Sequence, residues 1–69
     1  MVGMSQAELL ELPVAIDLVT AARALGIGRT RAFELVRRGE FPVPAVRVGT
    51  TWRVPTAPLL QLLGLSADR

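Results

Sequence analysis

This 69-residue chain contains no cysteine, histidine, lysine, asparagine or tyrosine. Lacking cysteine, it can form no disulfide; lacking histidine as well, it has no zinc-finger ligands and no Ser/His or Cys/His nucleophilic pair. A chain this short sits near the lower size limit for folding without staples or metal, so one small hydrophobic core must suffice. The absence of cysteine fits a reducing, cytoplasmic-type compartment. Long apolar runs are missing too. Nothing approaches the ~20 residues of a transmembrane helix, and no basic leader precedes an apolar stretch, so the start reads as a mature cytoplasmic N-terminus. The few carboxylates fall on unrelated elements, and the expectation is a non-enzymatic protein with no catalytic residues, no cofactor and no metal.

With no lysine, all eight basic residues are arginines. Lysine, asparagine and tyrosine have A/T-rich codons, so their joint absence reads as the codon usage of a G+C-rich genome, not as selection of arginine for bidentate contacts. The net charge of +2 conceals an uneven distribution. Residues 1–22 carry Glu8, Glu11 and Asp17 and no basic residue, a net of −3, whereas residues 23–53 carry seven arginines against Glu34 and Glu40, a net of +5. A basic block of this kind points to a polyanionic partner, because local charge steers binding more than the total does.

Ser5-Gln-Ala-Glu8 has the form of a helix capping box, followed by Leu9, Leu10 and Leu12 and stopped by Pro13. It reads either as one or two helical turns or as a loose arm that orders on a partner. Asp17 is a good N-cap for a first firm helix over Leu18–Leu25, whose Leu18, Ala21, Ala22 and Leu25 form an apolar stripe. Gly26 supplies the stop, Ile27 plugs the corner and Gly28 opens a second helix over Arg29–Arg38 that Gly39 ends. On that helix Ala32, Leu35 and Val36 cluster on one side and Thr30, Glu34 and Arg37 on the other, with Phe33, Arg31 and Arg38 on the flanks. Two helices joined by a short glycine-containing turn have helix-turn-helix spacing.

Phe41-Pro-Val-Pro44 must be extended, and Val46–Val54 alternates around a glycine-containing turn as a β-hairpin does. A three-residue Gly49–Thr51 loop pairs Val48 with Trp52 and Val46 with Val54 and sets Arg47 beside Arg53. A two-residue Gly49-Thr50 loop would oppose Arg47 to Trp52 and mix the faces. The first register sorts the faces and is the one expected, although Thr51 then stands where such loops want glycine. Pro55-Thr-Ala-Pro58 opens a last helix, with Thr56 as cap and Pro58 in the first turn, and Leu59, Leu60, Leu62 and Leu63 carry it to Gly64. The tail from Ser66 to Arg69 is expected to fray.

Helix, turn, helix, hairpin, helix is the order of a small α+β winged helix-turn-helix with a two-stranded wing. It occupies residues 14–64, between an arm or short helix over 1–13 and a tail over 65–69. A helix fits the DNA major groove and a hairpin can reach the neighbouring backbone or minor groove. Arg37 and Arg38 are then placed for phosphates, and Arg29, Thr30, Arg31 and Glu34 for base edges. Two readings of the helix stay open, this one and a solvated face in which Glu34 pairs with Arg37 or Arg38. In the expected hairpin register Arg47 and Arg53 face each other, and either a phosphate between them relieves their repulsion or the two long side chains splay into water. Phe33 and Trp52 are read as core.

Several of these stretches together resemble the small MerR-like helix-turn-helix domains of the excisionase family, which includes phage recombination directionality factors and short transcriptional regulators. They are Ala21-Ala22 with Leu25-Gly26-Ile27, then Arg29 to Pro42, and above all Val46-Arg47-Val48-Gly49 with Trp52-Arg53-Val54-Pro55. The resemblance implies a winged-helix binder of double-stranded DNA whose interface comprises Arg29, Thr30, Arg31, Glu34, Arg37 and Arg38 on the second helix and Arg47 and Arg53 on the wing. It also implies association with the nucleoid, an integrase as partner at an attachment site, and self-association on DNA as a dimer or head-to-tail array. The chain departs from the family at Gly28, where a Ser or Thr cap is usual, at Thr50 and Thr51, where basic residues are usual, and in a slightly long Val43-Pro44 spacer. Excisionase is the leading expectation, favoured by the short length and the lack of a long C-terminal coiled coil. A MerR-like transcriptional regulator is the alternative of the same class. A protein-interaction module, docking through the last helix or the Ser5–Leu12 segment, is the alternative of another class.

Overall fold

The computed structural model describes residues 4–65. The first three residues and the tail expected over Ser66–Arg69 lie outside the described residues. Ser5 caps α1 (Gln6–Leu10): its hydroxyl accepts from the Glu8 N–H at 3.1 Å while the Glu8 carboxylate accepts from the Ser5 N–H at 2.9 Å. Of the two readings of this segment, the short helix is the one that forms. Its Leu9 is buried, as befits a five-residue helix too short to persist without tertiary contacts.

Beyond Pro13 the chain forms β1 (Ala15–Asp17), and Asp17 then caps α2 (Leu18–Leu25), its carboxylate accepting from the Thr20 N–H at 3.3 Å. Gly26 ends α2 with φ +74° and α3 (Arg29–Arg37) follows after the turn Gly26-Ile27-Gly28. Helix α3 ends at Arg37, one residue before the expected Arg38, and Gly39 follows as expected with φ +72°. Both helices close by the same device: the Ile27 N–H donates to the Ala22 carbonyl and the Glu40 N–H to the Leu35 carbonyl, each at 2.8 Å, the six-to-one bond of a Schellman motif. That motif needs a left-handed residue, which costs glycine no Cβ clash.

The hairpin consists of β2 (Val46–Val48) and β3 (Thr51–Pro55) and leads directly into α4 (Thr56–Leu62). The sheet has three antiparallel strands in the order β1-β3-β2, one more than the two-stranded hairpin expected. Ile16 lies opposite Val54 and Asp17 opposite Arg53. The hairpin register also differs from the expected one: Val46 faces Arg53, Arg47 faces Trp52 and Val48 faces Thr51 across a two-residue Gly49-Thr50 loop. Gly49 carries φ +63° and no other residue in this turn has positive φ. A two-residue turn with glycine first needs a positive φ only there, whereas the three-residue alternative would have required it of Thr51. Backbone sterics in the turn outweighed the tidier sorting of faces.

Val54 and Leu59 are wholly buried, with Ile16, Leu18, Ala21, Ala22, Ala32, Val36 and Val43 around them and Phe33 and Trp52 packed against the edge. Val43, expected only as part of a spacer, is a core residue. Thr56 does not cap α4; Pro55 holds that position, with no side-chain bond, and Thr56 is the first helical residue. Its hydroxyl instead donates to the Pro13 carbonyl, and its N–H donates to the Val14 carbonyl at 2.8 Å. These two bonds clamp the segment before β1 onto the start of α4. Leu59→Ala is expected to lower unfolding free energy by about 2–4 kcal/mol, enough to leave so small a fold largely unfolded in a urea titration. Thr56→Val should cost about 1–2 kcal/mol, and Val14→Ala, at an 88% exposed position, close to nothing.

Candidate nucleic-acid interface

Helix α3 is held to the core by Ala32 and Val36, with Phe33 and Leu35 half-buried beside them. Helical geometry then directs Thr30, Arg31, Glu34, Arg37 and Arg38 outward within an arc of about 120°, and all five are exposed. Arg29 lies outside that arc, one turn before Phe33, but is exposed because it begins the helix. Among the described residues the one ion pair joins Arg38 to Glu40 at 3.6 Å, both side chains being mostly in solvent. Such a pair contributes only about 0–1 kcal/mol and is readily exchanged. Glu34 pairs with neither Arg37 nor Arg38, so the ion pairing expected of a merely solvated face does not form.

The electrostatics of α3 are uneven along its axis. Arg37 in the last turn complements the negative end of the helix dipole, whereas Arg29 and Arg31 add positive charge to the end that is already positive. Gly28 offers no side chain to cap the first N–H groups, which therefore remain available as donors.

Residues directly opposite one another in the hairpin share a face. Arg47 therefore lies on the side of Trp52, and so of the core and the helices, with its guanidinium 5.7 Å from the centroid of the indole. Its Nε donates to the Gly49 carbonyl at 3.3 Å. Arg53 projects from the opposite face of the sheet, across from Val46 on one neighbour and Asp17 on the other. The expected juxtaposition of Arg47 and Arg53 is thus corrected: a one-residue change of register sends the two side chains to opposite faces. Five of the eight residues read from the sequence are gathered on α3 and Arg38 caps its end, Arg47 joins the helix-facing side of the hairpin, and Arg53 is turned away.

Sequence reasoning passed over Trp52 as a support for Arg47. The signal was present in Gly49, the only glycine in the hairpin, at the position a two-residue turn favours. Among the described residues no group of three or more acidic side chains is arranged to hold a metal ion, and no helix is long and apolar enough to cross a membrane. No family model, curated protein or solved structure matches the chain.

Arg47→Ala is expected to cost at most about 1 kcal/mol of stability, the worth of an exposed cation–π contact. It should nevertheless shift the emission of Trp52, the only tryptophan of the chain. An unchanged spectrum would show that the guanidinium does not rest on the ring.

Proposed function

We propose that this chain is a sequence-specific binder of double-stranded DNA, built as a winged helix-turn-helix in which α2, the glycine turn and α3 form the reading unit and the β2–β3 hairpin the wing. The observation that carries the proposal is the outward face of α3, where Arg31, Arg37 and Arg38 lie around Thr30 and Glu34 with no ion pair on the helix itself. A helix presenting such a face fits the major groove. Arg29, Thr30, Arg31 and Glu34, on the first turns, would approach base edges, with arginine suited to guanine and glutamate to cytosine. Arg37 and Arg38 would take phosphates, as would Arg47, which the indole of Trp52 holds on the side of the hairpin nearer α3.

The resemblance of residues 14–64 to the excisionase family favours action at a recombination attachment site, assisting an integrase. Control of a promoter is the second role that resemblance supports. One unit of this size contacts few base pairs, so useful discrimination requires several copies or a protein partner. The two roles separate in a footprint over the DNA flanking the chain's own gene. Protected direct repeats beside an attachment site mean excision, and a protected promoter alone means regulation.

DNA affinity is expected to fall steeply with salt, with a log–log slope of about −3 if Arg37, Arg38 and Arg47 each displace a counterion. Arg37→Ala should make that slope shallower by about 1. Arg53→Ala should change it less than Arg47→Ala, because Arg53 leaves the sheet on the other face. A flat salt dependence, or no binding to duplex DNA at low ionic strength, would overturn the proposal.

A further inference from the structure

Between α3 and the hairpin lies a pocket of about 180 Å³ walled by Val19 at the start of α2, Phe33 on α3 and Trp52 on β3, with Thr50 and Thr51 at the hairpin end. Phe33 and Trp52 pack against the core but stay half-buried, so part of each ring is left to the pocket. Polar groups at its edge are engaged elsewhere. The Thr51 hydroxyl donates to the Val48 carbonyl at 3.0 Å, and the Asp17 carboxylate accepts from the Thr20 N–H at 3.3 Å. The wall is therefore mostly apolar, with the Thr50 hydroxyl at its exposed rim.

Three arginines stand around this pocket without lining it. Arg29 and Arg37 come one turn before and one turn after Phe33 on the same side of α3, and both are exposed. Arg47 rests on Trp52 with its guanidinium 5.7 Å from the ring centroid, and its Nε reaches the Gly49 carbonyl, next to Thr50. An apolar hollow among cations is complementary to an apolar group joined to anions on either side. The proposed DNA complex supplies such a group, and the inference rests on that reading. A helix in the major groove and a wing in the neighbouring groove have one sugar–phosphate strand between them, because a strand is what divides the grooves of a duplex. The pocket, lying between helix and wing, faces that strand. Base edges point into the grooves, and a phosphate gains nothing from a wall without free donors. The sugar is the part of the strand that offers C–H surface.

We infer that this pocket receives the deoxyribose of one nucleotide of that strand, its C2′ methylene against Phe33 and Trp52. The phosphates on either side of the sugar fall to the arginines of α3 and to Arg47. A ribose in the same place would bury its 2′-hydroxyl against a wall whose polar groups are engaged, which is costly. The pocket therefore selects DNA over RNA at that nucleotide. Phe33 and Trp52 bind as well as pack.

The test uses the full chain and the DNA duplex protected in the footprint, with one nucleotide at a time replaced by its ribonucleotide so that the duplex as a whole keeps its B form. Affinity is expected to fall about tenfold at one nucleotide per bound copy and to stay unchanged elsewhere. Nuclear Overhauser contacts should join the Phe33 and Trp52 rings to the sugar protons of that same nucleotide. Phe33→Leu, which keeps an apolar side chain at the position, should weaken binding to the unmodified duplex and remove the ribose penalty. It should leave the salt slope as it was, because no counterion is involved. A purely structural role for Phe33 would leave the ribose penalty in place. The Overhauser contacts are read on the unaltered chain and decide even where the variant loses stability. Indifference to ribose at every position overturns the inference, as do ring contacts to base protons instead of sugar protons, or a ribose penalty that survives Phe33→Leu. In those cases the unmodified duplex still binds and the DNA proposal stands. A chain that binds no duplex overturns both.

Discussion

Pairing of β3 with strands on both its sides is the constraint from which the other features follow. Its central residue, Val54, is wholly buried opposite Ile16, and this one contact ties the segment before α2 to the segment before α4. With β3 fixed, the pleat assigns Trp52 and Val54 to the core face and Thr51, Arg53 and Pro55 to the other. The positive φ of Gly49 then sets where β2 lies against it, and so carries Arg47 onto Trp52. The chain has no cysteine with which to bridge these segments. They rest on a core of small side chains, three of them alanines on α2 and α3, which let the two helices approach closely.

That close approach shapes the surface as well. Because Ala21, Ala22 and Ala32 occupy so little space, α3 is buried along a narrow strip and leaves most of its circumference in solvent. The arginines of residues 29–38 occupy that free circumference, whereas the acidic residues before Arg23 lie on and beside α1 and β1. The fold thereby turns a sequence-level charge asymmetry into two unlike surfaces. One is a basic helix suited to the proposed duplex partner, and the other the acidic surface on and beside α1.

Local signals were the legible ones. The Asp17 cap, the apolar stripe of α2, Gly26, Gly39 and the capping box at Ser5 each report an interaction within a few residues, and the elements they delimit formed within a residue of where the pattern put them. The outward residues of α3 were legible for the same reason, since helical periodicity separates them from Ala32 and Val36 without reference to anything else. Less was legible where a remote partner decides. Strand β1 is three residues long, too short for an alternation signal, and exists because β3 offers it hydrogen bonds. Thr56 had the chemistry of a cap, but the Pro13 carbonyl, distant in sequence, took its hydroxyl. In the hairpin, side-chain sorting and turn geometry gave opposing indications, and the steric demand on Thr51 was the stronger.

The sequence by itself therefore determined that the helices form and, to within a residue, where α2 and α3 end, the basic character of the middle of the chain, and the face of α3 that carries Thr30, Glu34 and Arg37. All of these follow from neighbours within one or two turns. The tertiary structure decided that the sheet has three strands, that Val43 belongs to the core, and that Arg47 rather than Arg53 shares a face with Trp52. Each of these depends on a contact between distant segments, where a shift of one residue reverses the face a side chain takes.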